Sequence, residues 1–204
     1  MPQSEKAGYH HGDLKKALVE AALQVLLEEG LDALSLRRVA REASVSPAAP
    51  YRHFKDKQEL LTTVSEHGFT ELERRLRTSN SERPGDLDAS GKTYLAFAIE
   101  QPQLYRLMFT QNIIRLAAAE HEAKECSREA FTRLVETIET GIAMKQIEKT
   151  ESHMLALSSW SLVHGISMLA IDGILEGGPF EELSHPRILE IAQSYFKSGW
   201  RLQS

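Results

Sequence analysis

One stretch of the sequence decides the fold: residues 35–61, which read SLRRVAREASVSPAAPYRHFKDKQELL. Ser35 precedes apolar residues that recur at helical spacing, and a serine in this place can cap a helix by accepting a hydrogen bond from its backbone. Val45 is an apolar residue in a polar turn. Ser46-Pro47 then favours a second helix start, because proline at the first helical position has no N–H group to leave unpaired. The stretch therefore predicts two short helices joined by a tight turn.

The same stretch is a basic patch on an acidic protein. The chain has 204 residues, with 24 Lys and Arg against 29 Asp and Glu, a net charge of −5 and an isoelectric point of about 5.9. The cations of the patch are Arg37, Arg38, Arg41, Arg52, Lys55 and Lys57. A basic patch carried by a helix-turn-helix pattern indicates DNA binding. The sequence therefore favours a transcriptional regulator over an enzyme.

The composition is that of an ordinary globular protein, with 42% hydrophobic and 26% charged residues. The single cysteine, Cys126, excludes an intramolecular disulfide framework and a cysteine-based zinc finger. No histidine has partners at metal-ligand spacing, so we expect no metal site and no cofactor. The sequence shows no signal peptide and no apolar run near the roughly 20 residues of a membrane span. We expect a cytoplasmic protein without a membrane segment.

The periodicity of apolar residues predicts an all-α chain of about nine helices. The first helix is predicted at residues 13–29 and ends at Gly30, the fourth at 56–77, and a polar loop rich in Ser, Pro, Gly and Asp at 78–91. Further helices are predicted at residues 92–100, 102–109, 116–144, 151–176 and 186–201. We place a three-helix helix-turn-helix domain at residues 1–63 and a larger helical domain at residues 64–204.

The first 76 residues resemble the TetR family of bacterial transcriptional regulators. The most specific match is Tyr51-Arg-His-Phe54 followed by Lys57 and Leu60. The remaining matching positions are Leu14 to Gly30, Leu34-Ser35-Leu36, Val39-Ala40, Ala43, Val45-Ser46 and Leu61. In the second half, Trp160-Ser-Leu-Val-His164-Gly165 is similar to the WHG-type C-terminal domain of one TetR subgroup, as is the opening Tyr9-His-His-Gly-Asp-Leu14.

The resemblance implies an all-helical homodimer whose N-terminal domains bind a palindromic operator in double-stranded DNA. It also implies C-terminal domains that dimerise through their last two helices and commonly enclose a pocket for a small-molecule effector. Effector binding then shifts the fourth helix and releases the operator. Repression is the default of the family, and the residues do not exclude activation. Neither the operator, the regulated genes nor the effector can be read from the sequence.

Several residues of the patch are candidate DNA contacts. Arg37 and Arg38 can read a base edge or bind phosphate, or they can form a merely solvated basic face. Ser35 can bind phosphate or simply cap its helix, and Tyr51 can contact phosphate or lie in the core. The full set of predicted DNA-binding residues is Ser35, Arg37, Arg38, Ser46, Pro47, Ala48, Ala49, Tyr51, His53 and Lys57.

The segment expected to enter the major groove is unusual for a reader of bases. Pro47, Ala48, Ala49 and Pro50 offer almost no hydrogen-bonding side chains, although alanine can contact thymine methyl groups. Pro50 lacks an N–H group and restricts the residue before it, so we expect a distorted or short first helical turn. Ser44 stands in a turn where relatives often have glycine.

The second domain offers His164 as a polar anchor for a ligand in an apolar cavity, with a satisfied core histidine as the alternative. The other candidate lining residues, each with a core role as the alternative, are Tyr94, Phe97, Tyr105, Met108, Phe109, Trp160 and Met168. For the dimer face we expect small residues on the predicted helix at residues 151–176 and an apolar stripe on the last predicted helix, at residues 186–201. Those residues are Ser158, Ser161, Gly165 and Ser167, with Leu189, Ala192, Phe196 and Trp200.

Two other classes of protein compete with the regulator. A helical enzyme that uses His164 has no visible nucleophile–base–acid set and no Gly-rich phosphate loop. A protein-interaction bundle with an incidental basic patch is disfavoured by the YRHF match.

Overall fold

A computed structural model describes residues 11–109 and 121–198 of the chain, with side chains at residues 14–109 and 128–198. This described part contains eight α-helices, two 3-10 helices and no strand, which confirms the all-α prediction. The α-helices are α1 (His11–Glu29), α2 (Leu36–Glu42), α3 (Lys57–Glu82), α4 (Leu87–Glu100), α5 (Pro102–Phe109), α6 (His121–Ala143), α7 (Ser152–Ile171) and α8 (His185–Ser198). The 3-10 helices are Pro50–Arg52 and Gly178–Phe180. The third helix of the prediction, expected to start at Ser46-Pro47, is replaced by the 3-10 helix Pro50–Arg52.

Local chemistry sets the ends of the first helices. Gly30 follows α1 with φ of +83°, the left-handed conformation that favours glycine after a helix. Ser35 Oγ accepts a hydrogen bond of 3.2 Å from the backbone N–H of Arg38 and so caps α2. Asp56 caps α3 in the same way, by accepting from the N–H of Glu59 at 2.9 Å. These helix starts are confirmed as the sequence predicted them.

The predicted loop at residues 78–91 is wrong. Helix α3 continues to Glu82 and α4 begins at Leu87, so only residues 83–86 connect them. The chain turns at Gly85, which has φ of +77° and donates its N–H to the side chain of Asn80 at 3.2 Å. Asp86 is a helix cap, since its carboxylate accepts from the N–H of Ala89 at 2.9 Å. Ser, Asn and Asp are common both in loops and at helix ends, and here they serve the ends.

Other helix ends also differ from prediction. Helix α7 ends at Ile171, five residues before the predicted 176, and Gly173 with φ of +72° follows it. The predicted start at residue 116 and the predicted end at residue 201 lie outside the described residues. By its length and composition alone, helix α7 could cross a membrane, whereas we expected no such segment from the sequence. The most apolar window of this helix is only 28% buried.

One contiguous hydrophobic core joins the two halves of the chain through α3. Leu60 and Val64, near the start of α3, are fully buried with α1 and α2. Leu72 and Leu76, further along the same helix, are buried in the C-terminal half with α4 and α5. A smaller cluster around Ile138 joins α6 to α7. The domain boundary that we predict between residues 63 and 64 thus falls inside a continuous helix, and it stays a prediction.

Candidate nucleic-acid interface and ligand cavity

Most of the predicted DNA-binding residues of the N-terminal helices are exposed. Ser35 and Arg37 at the start of α2, Ser46 in the turn and Lys57 at the start of α3 are all exposed. Tyr51 is 55% exposed, which removes the alternative of a buried aromatic at this position. Hydroxyl groups and cations on one surface can bind DNA phosphates. Whether these residues contact DNA stays a prediction.

The segment after the turn is a series of tight turns instead of the expected α-helix. The N–H of Ala49 donates to the carbonyl of Ser46, and the N–H groups of His53 and Phe54 both donate to the carbonyl of Pro50, each at 2.9 Å. Pro50 begins the 3-10 helix and is buried beside Phe54, which is 1% exposed. These hydrogen bonds confirm the expected distortion. Its cause is Pro50, which has no N–H group to donate the hydrogen bond that a regular helix needs there.

This segment presents a small, smooth surface. Pro47 and Ala48 are exposed and Ala49 is half-buried. Their side chains leave room for close approach of a DNA groove and offer apolar contact to thymine methyl groups. Base-specific hydrogen bonds are therefore expected from neighbouring residues such as Arg37.

Two carboxylates hold the mostly buried side chain of Arg38 against the protein. Its Nε lies 2.9 Å from Glu29 Oε1 and its Nη1 lies 2.7 Å from Glu42 Oε2. These hydrogen bonds raise the pKa of Arg38 and lower that of Glu29. The Arg38 side chain is only 15% exposed. Arg38 therefore ties α2 to α1, and a DNA contact by this residue would compete with that role.

Ser44 has the backbone conformation for which glycine is suited. Its φ is +54°, and Lys145 is the other non-glycine residue with positive φ in the described part of the chain. A side chain in this left-handed region crowds the following carbonyl oxygen. The turn between the two short helices is therefore strained at Ser44.

A cavity of about 1180 Å³ lies in the C-terminal half, between α3, α4, α6, α7 and α8. Tyr94, Phe109 and Trp160 border it, as predicted. Five predicted lining residues do not border it: Phe97, Tyr105, Met108, His164 and Met168. The first three of these five are fully buried in the core. Sequence reasoning missed the walls from α3, α6 and α8, because apolar residues at helical spacing look the same whether they face a core or a cavity. The missed apolar residues of these walls include Phe69, Leu72, Phe131 and Leu189, and the missed polar residues of the cavity include Asp88, Ser159 and Gln193.

His164 belongs to a buried polar network beside the cavity. Tyr105 Oη lies 2.6 Å from His164 Nδ1 and 3.0 Å from Tyr94 Oη. Trp160 Nε1 donates to Tyr94 Oη at 3.1 Å. Burial raises the pKa of Tyr94 to about 12 and lowers the pKa of His164. All four side chains are thus neutral near pH 7. His164 has the geometry of a satisfied core histidine, and Tyr94 and Trp160 are the members of the network that border the cavity.

An exposed basic helix-turn-helix surface and a helical body that encloses a cavity define a DNA-binding transcriptional regulator, not an enzyme. Residues 18–64 match the family described as "Bacterial regulatory proteins, tetR family". Residues 87–185 match the "Tetracyclin repressor-like, C-terminal domain". These two matches together cover most of the sequence, and the chain belongs to the TetR family of bacterial transcriptional regulators.

Solved structures share this fold over nearly the whole chain. A protein of unknown function from Rhodococcus sp. RHA1 is 29% identical, with a TM-score of 0.76 over 95% of this chain and 98% of its own. A TetR-family regulatory protein from Rhodococcus RHA1 is 22% identical, with a TM-score of 0.62 over 90% and 93%. The fatty acid degradation regulator FadR from Bacillus halodurans is 14% identical, with a TM-score of 0.68 over 96% and 100%. At such low identities the last two show the fold alone.

Proposed function

We propose that this protein is a cytoplasmic, homodimeric repressor that binds a palindromic operator and releases it when a small-molecule effector enters the cavity. The observation that carries the proposal is the position of α3. Lys57 begins this helix at the DNA-binding surface, and Phe69, Leu72 and Leu76 of the same helix line the cavity. One rigid element thus joins the two sites, so occupancy of one can bias the position of the other.

The outward face of α7 supports the dimer. Met154, Leu157 and Leu169 are 60%, 45% and 44% exposed, and Ser161 and Gly165 continue the same stripe at spacings of three or four residues. Around Gly165 the face is open, since no atom among the described residues lies within 4 Å of where a side chain would begin. A flat apolar face suits a second copy of the same helix across a two-fold axis.

Helix α8 contributes less to that face than the sequence suggests. Leu189 is fully buried within its own chain, whereas Tyr195 is 68% and Phe196 39% exposed. The predicted Trp200 lies outside the described residues. We infer that α7 supplies the centre of the dimer contact and Tyr195 of α8 its edge, in a four-helix arrangement with the partner.

Selection of genomic DNA fragments by the purified protein tests the DNA part of the proposal. We expect enrichment of one palindrome, with an affinity that falls steeply as salt rises, because binding to phosphates releases counterions. Arg37→Ala and Lys57→Ala should each weaken operator binding, while Lys149→Ala, which removes an exposed cation between α6 and α7, should not. Arg38→Ala should lower the melting temperature as well, because it breaks the ties to Glu29 and Glu42.

Two results would count against the proposal. Unchanged operator affinity in both the Arg37 and Lys57 variants would remove these residues from the interface. A stable dimer that enriches no DNA sequence would instead favour a helical protein-interaction module.

A further inference from the structure

We propose that the effector is a largely apolar molecule with a hydrogen-bond donor at one end, a hydroxyl or a protonated amine, which binds between Asp88 of α4 and Gln193 of α8. This inference rests on the proposed function of the cavity as the effector site and names the chemistry of its ligand.

Three polar atoms at the cavity wall carry the inference. Asp88 Oδ1, Gln193 Oε1 and Ser159 Oγ are buried, and none has a hydrogen-bond partner among the described residues. All three residues border the same cavity. Buried polar atoms in proteins are almost always paired, because an unpaired one loses its hydration without compensation. A ligand that enters this cavity and displaces the side chains covering these atoms can therefore pair with them.

The atoms on α4 and α8 can only accept hydrogen bonds. Asp88 Oδ1 belongs to a carboxylate whose other oxygen already accepts from Lys197 Nζ at 2.5 Å. Gln193 Oε1 is an amide carbonyl oxygen. These two acceptors lie on packed helices and require a donor from the ligand, which a hydroxyl or an ammonium group supplies.

The packing of α4 against α8 fixes this pair of acceptors. Gln193 and Lys197 lie one turn apart on α8, and Asp88 and Gly91 lie one turn apart on α4. The Gln193 amide fills the space beside Gly91, where an added methyl group would lie 2.7 Å from Nε2. The ion pair at one end and this close packing at the other hold both acceptors at the cavity wall.

The charges around the cavity disfavour a carboxylate ligand. Asp86, Asp88 and Glu148 border it against Arg128 and Lys197, and Lys197 is already paired with Asp88. A carboxylate near Asp88 would bring two like charges together and would leave both acceptors without a donor. The body of the ligand is expected to be apolar, because most of the exposed wall area is apolar and includes side chains such as Leu72, Phe109 and Phe131.

The test compares decanol, decylamine and decanoate, which share one chain length and differ in the head group. Isothermal titration calorimetry on the full-length protein should give binding of decanol and decylamine at least about tenfold tighter than binding of decanoate. Asp88→Asn keeps an oxygen acceptor and removes the charge, so it should weaken binding of decylamine more than binding of decanol. A larger loss for decanol would contradict the role of Asp88.

Gln193→Leu removes the acceptor at nearly constant volume. We expect it to weaken binding of decanol and decylamine about tenfold, to narrow their advantage over decanoate, and to raise the melting temperature of the ligand-free protein. The matched control is Gln146→Leu, the same substitution at an exposed residue that borders the same cavity. The control should leave the order of the three ligands unchanged.

The outcomes separate this inference from the function on which it rests. Tighter binding of decanoate, or an unchanged ligand order in Gln193→Leu, would overturn the donor assignment and leave the cavity as a binding site. Ligands that bind in the expected order without releasing operator DNA would support the donor assignment and count against effector control of DNA binding. Failure of all three to bind would overturn both.

Discussion

Met108 of α5 occupies the space that a side chain at Gly68 of α3 would need. A methyl group at position 68 would lie 2.6 Å from Met108 Sδ and 3.2 Å from Leu104 Cδ1. This contact lies between Val64, which packs with the N-terminal helices, and Leu72, which borders the cavity. The absence of a side chain at Gly68 thus brings α3 and α5 together where the two halves of the chain meet.

Gly68→Ala should destabilise the protein by about 1 kcal/mol. Overpacking of a core costs roughly 1–3 kcal/mol, and the better helix propensity of alanine offsets up to about 1 kcal/mol of this. Urea unfolding measures the change in the free energy of unfolding. In a Met108→Val background the clash is relieved and Gly68→Ala should become stabilising. A stabilising effect in the wild-type background would contradict the tight contact.

Ser44→Gly should stabilise the protein by up to about 1 kcal/mol. Relief of the strain at the left-handed residue stabilises the folded state by roughly 1–2 kcal/mol. The greater conformational freedom of glycine in the unfolded chain offsets part of this gain. Thermal unfolding monitored by circular dichroism gives the shift. Ser46→Gly, an exposed position in the same turn without positive φ, should bring no gain. Equal effects of the two substitutions would show that the strain at Ser44 is negligible.

Leu157→Glu should convert the dimer into a monomer. The charge would be buried in the centre of the proposed contact, where an unpaired carboxylate is costly. Sedimentation velocity at several concentrations measures the oligomeric state. Leu27→Glu is a matched control, because Leu27 of α1 is also 45% exposed but lies in the N-terminal half. A dimer that survives Leu157→Glu would place the partner elsewhere on the surface.

Acidification should destabilise the protein through His164. Burial holds the pKa of His164 below its usual value of 6.5, so the unfolded chain takes up the proton at higher pH than the native chain. Its contribution to stability is complete above pH 6.5 and is lost as the pH falls through the native pKa. Tyr94 and Tyr105, which face it, stay neutral in this range because burial raises the pKa of both.

The measurement is the urea midpoint as a function of pH in the wild type and in His164→Gln. The glutamine side chain can still form a hydrogen bond with Tyr105 Oη, since its amide both donates and accepts, so the variant should fold and lose less stability in acid. Parallel pH profiles for the two proteins would assign the acid sensitivity to another group.

The sequence sufficed for the helix-turn-helix because short-range chemistry defines it. Ser35 and Asp56 cap helices through residues three positions away, and Pro50 disturbs its own turn, so a local pattern contains the whole cause. The loop prediction was wrong because the helical conformation is interrupted only around Pro84 and Gly85. The serines and aspartates on either side of them are compatible with helix ends.

The cavity could not be predicted in the same way. Asp88 and Gln193 are far apart in the sequence, and only the docking of α8 on α4 brings them to one wall. Tyr105 and Trp160 also show that the sequence does not distinguish a core residue from a cavity-lining residue. Both are aromatic residues on apolar helices, yet Tyr105 is fully buried and Trp160 borders the cavity, a difference that depends on tertiary packing.

The length of α3 makes it a mechanical lever. Its 26 residues span about 39 Å, and Leu72 at the cavity stands about 22 Å along the axis from Lys57 at the DNA-binding surface. A tilt of about 5° about Leu72 therefore moves Lys57 by about 2 Å, and the two-fold axis of a dimer doubles that displacement between the two copies. In the dimer that we propose, a ligand that shifts the cavity wall near Leu72 by a fraction of an ångström would therefore change the separation of the two predicted DNA-binding surfaces by about 4 Å, more than the length of a hydrogen bond.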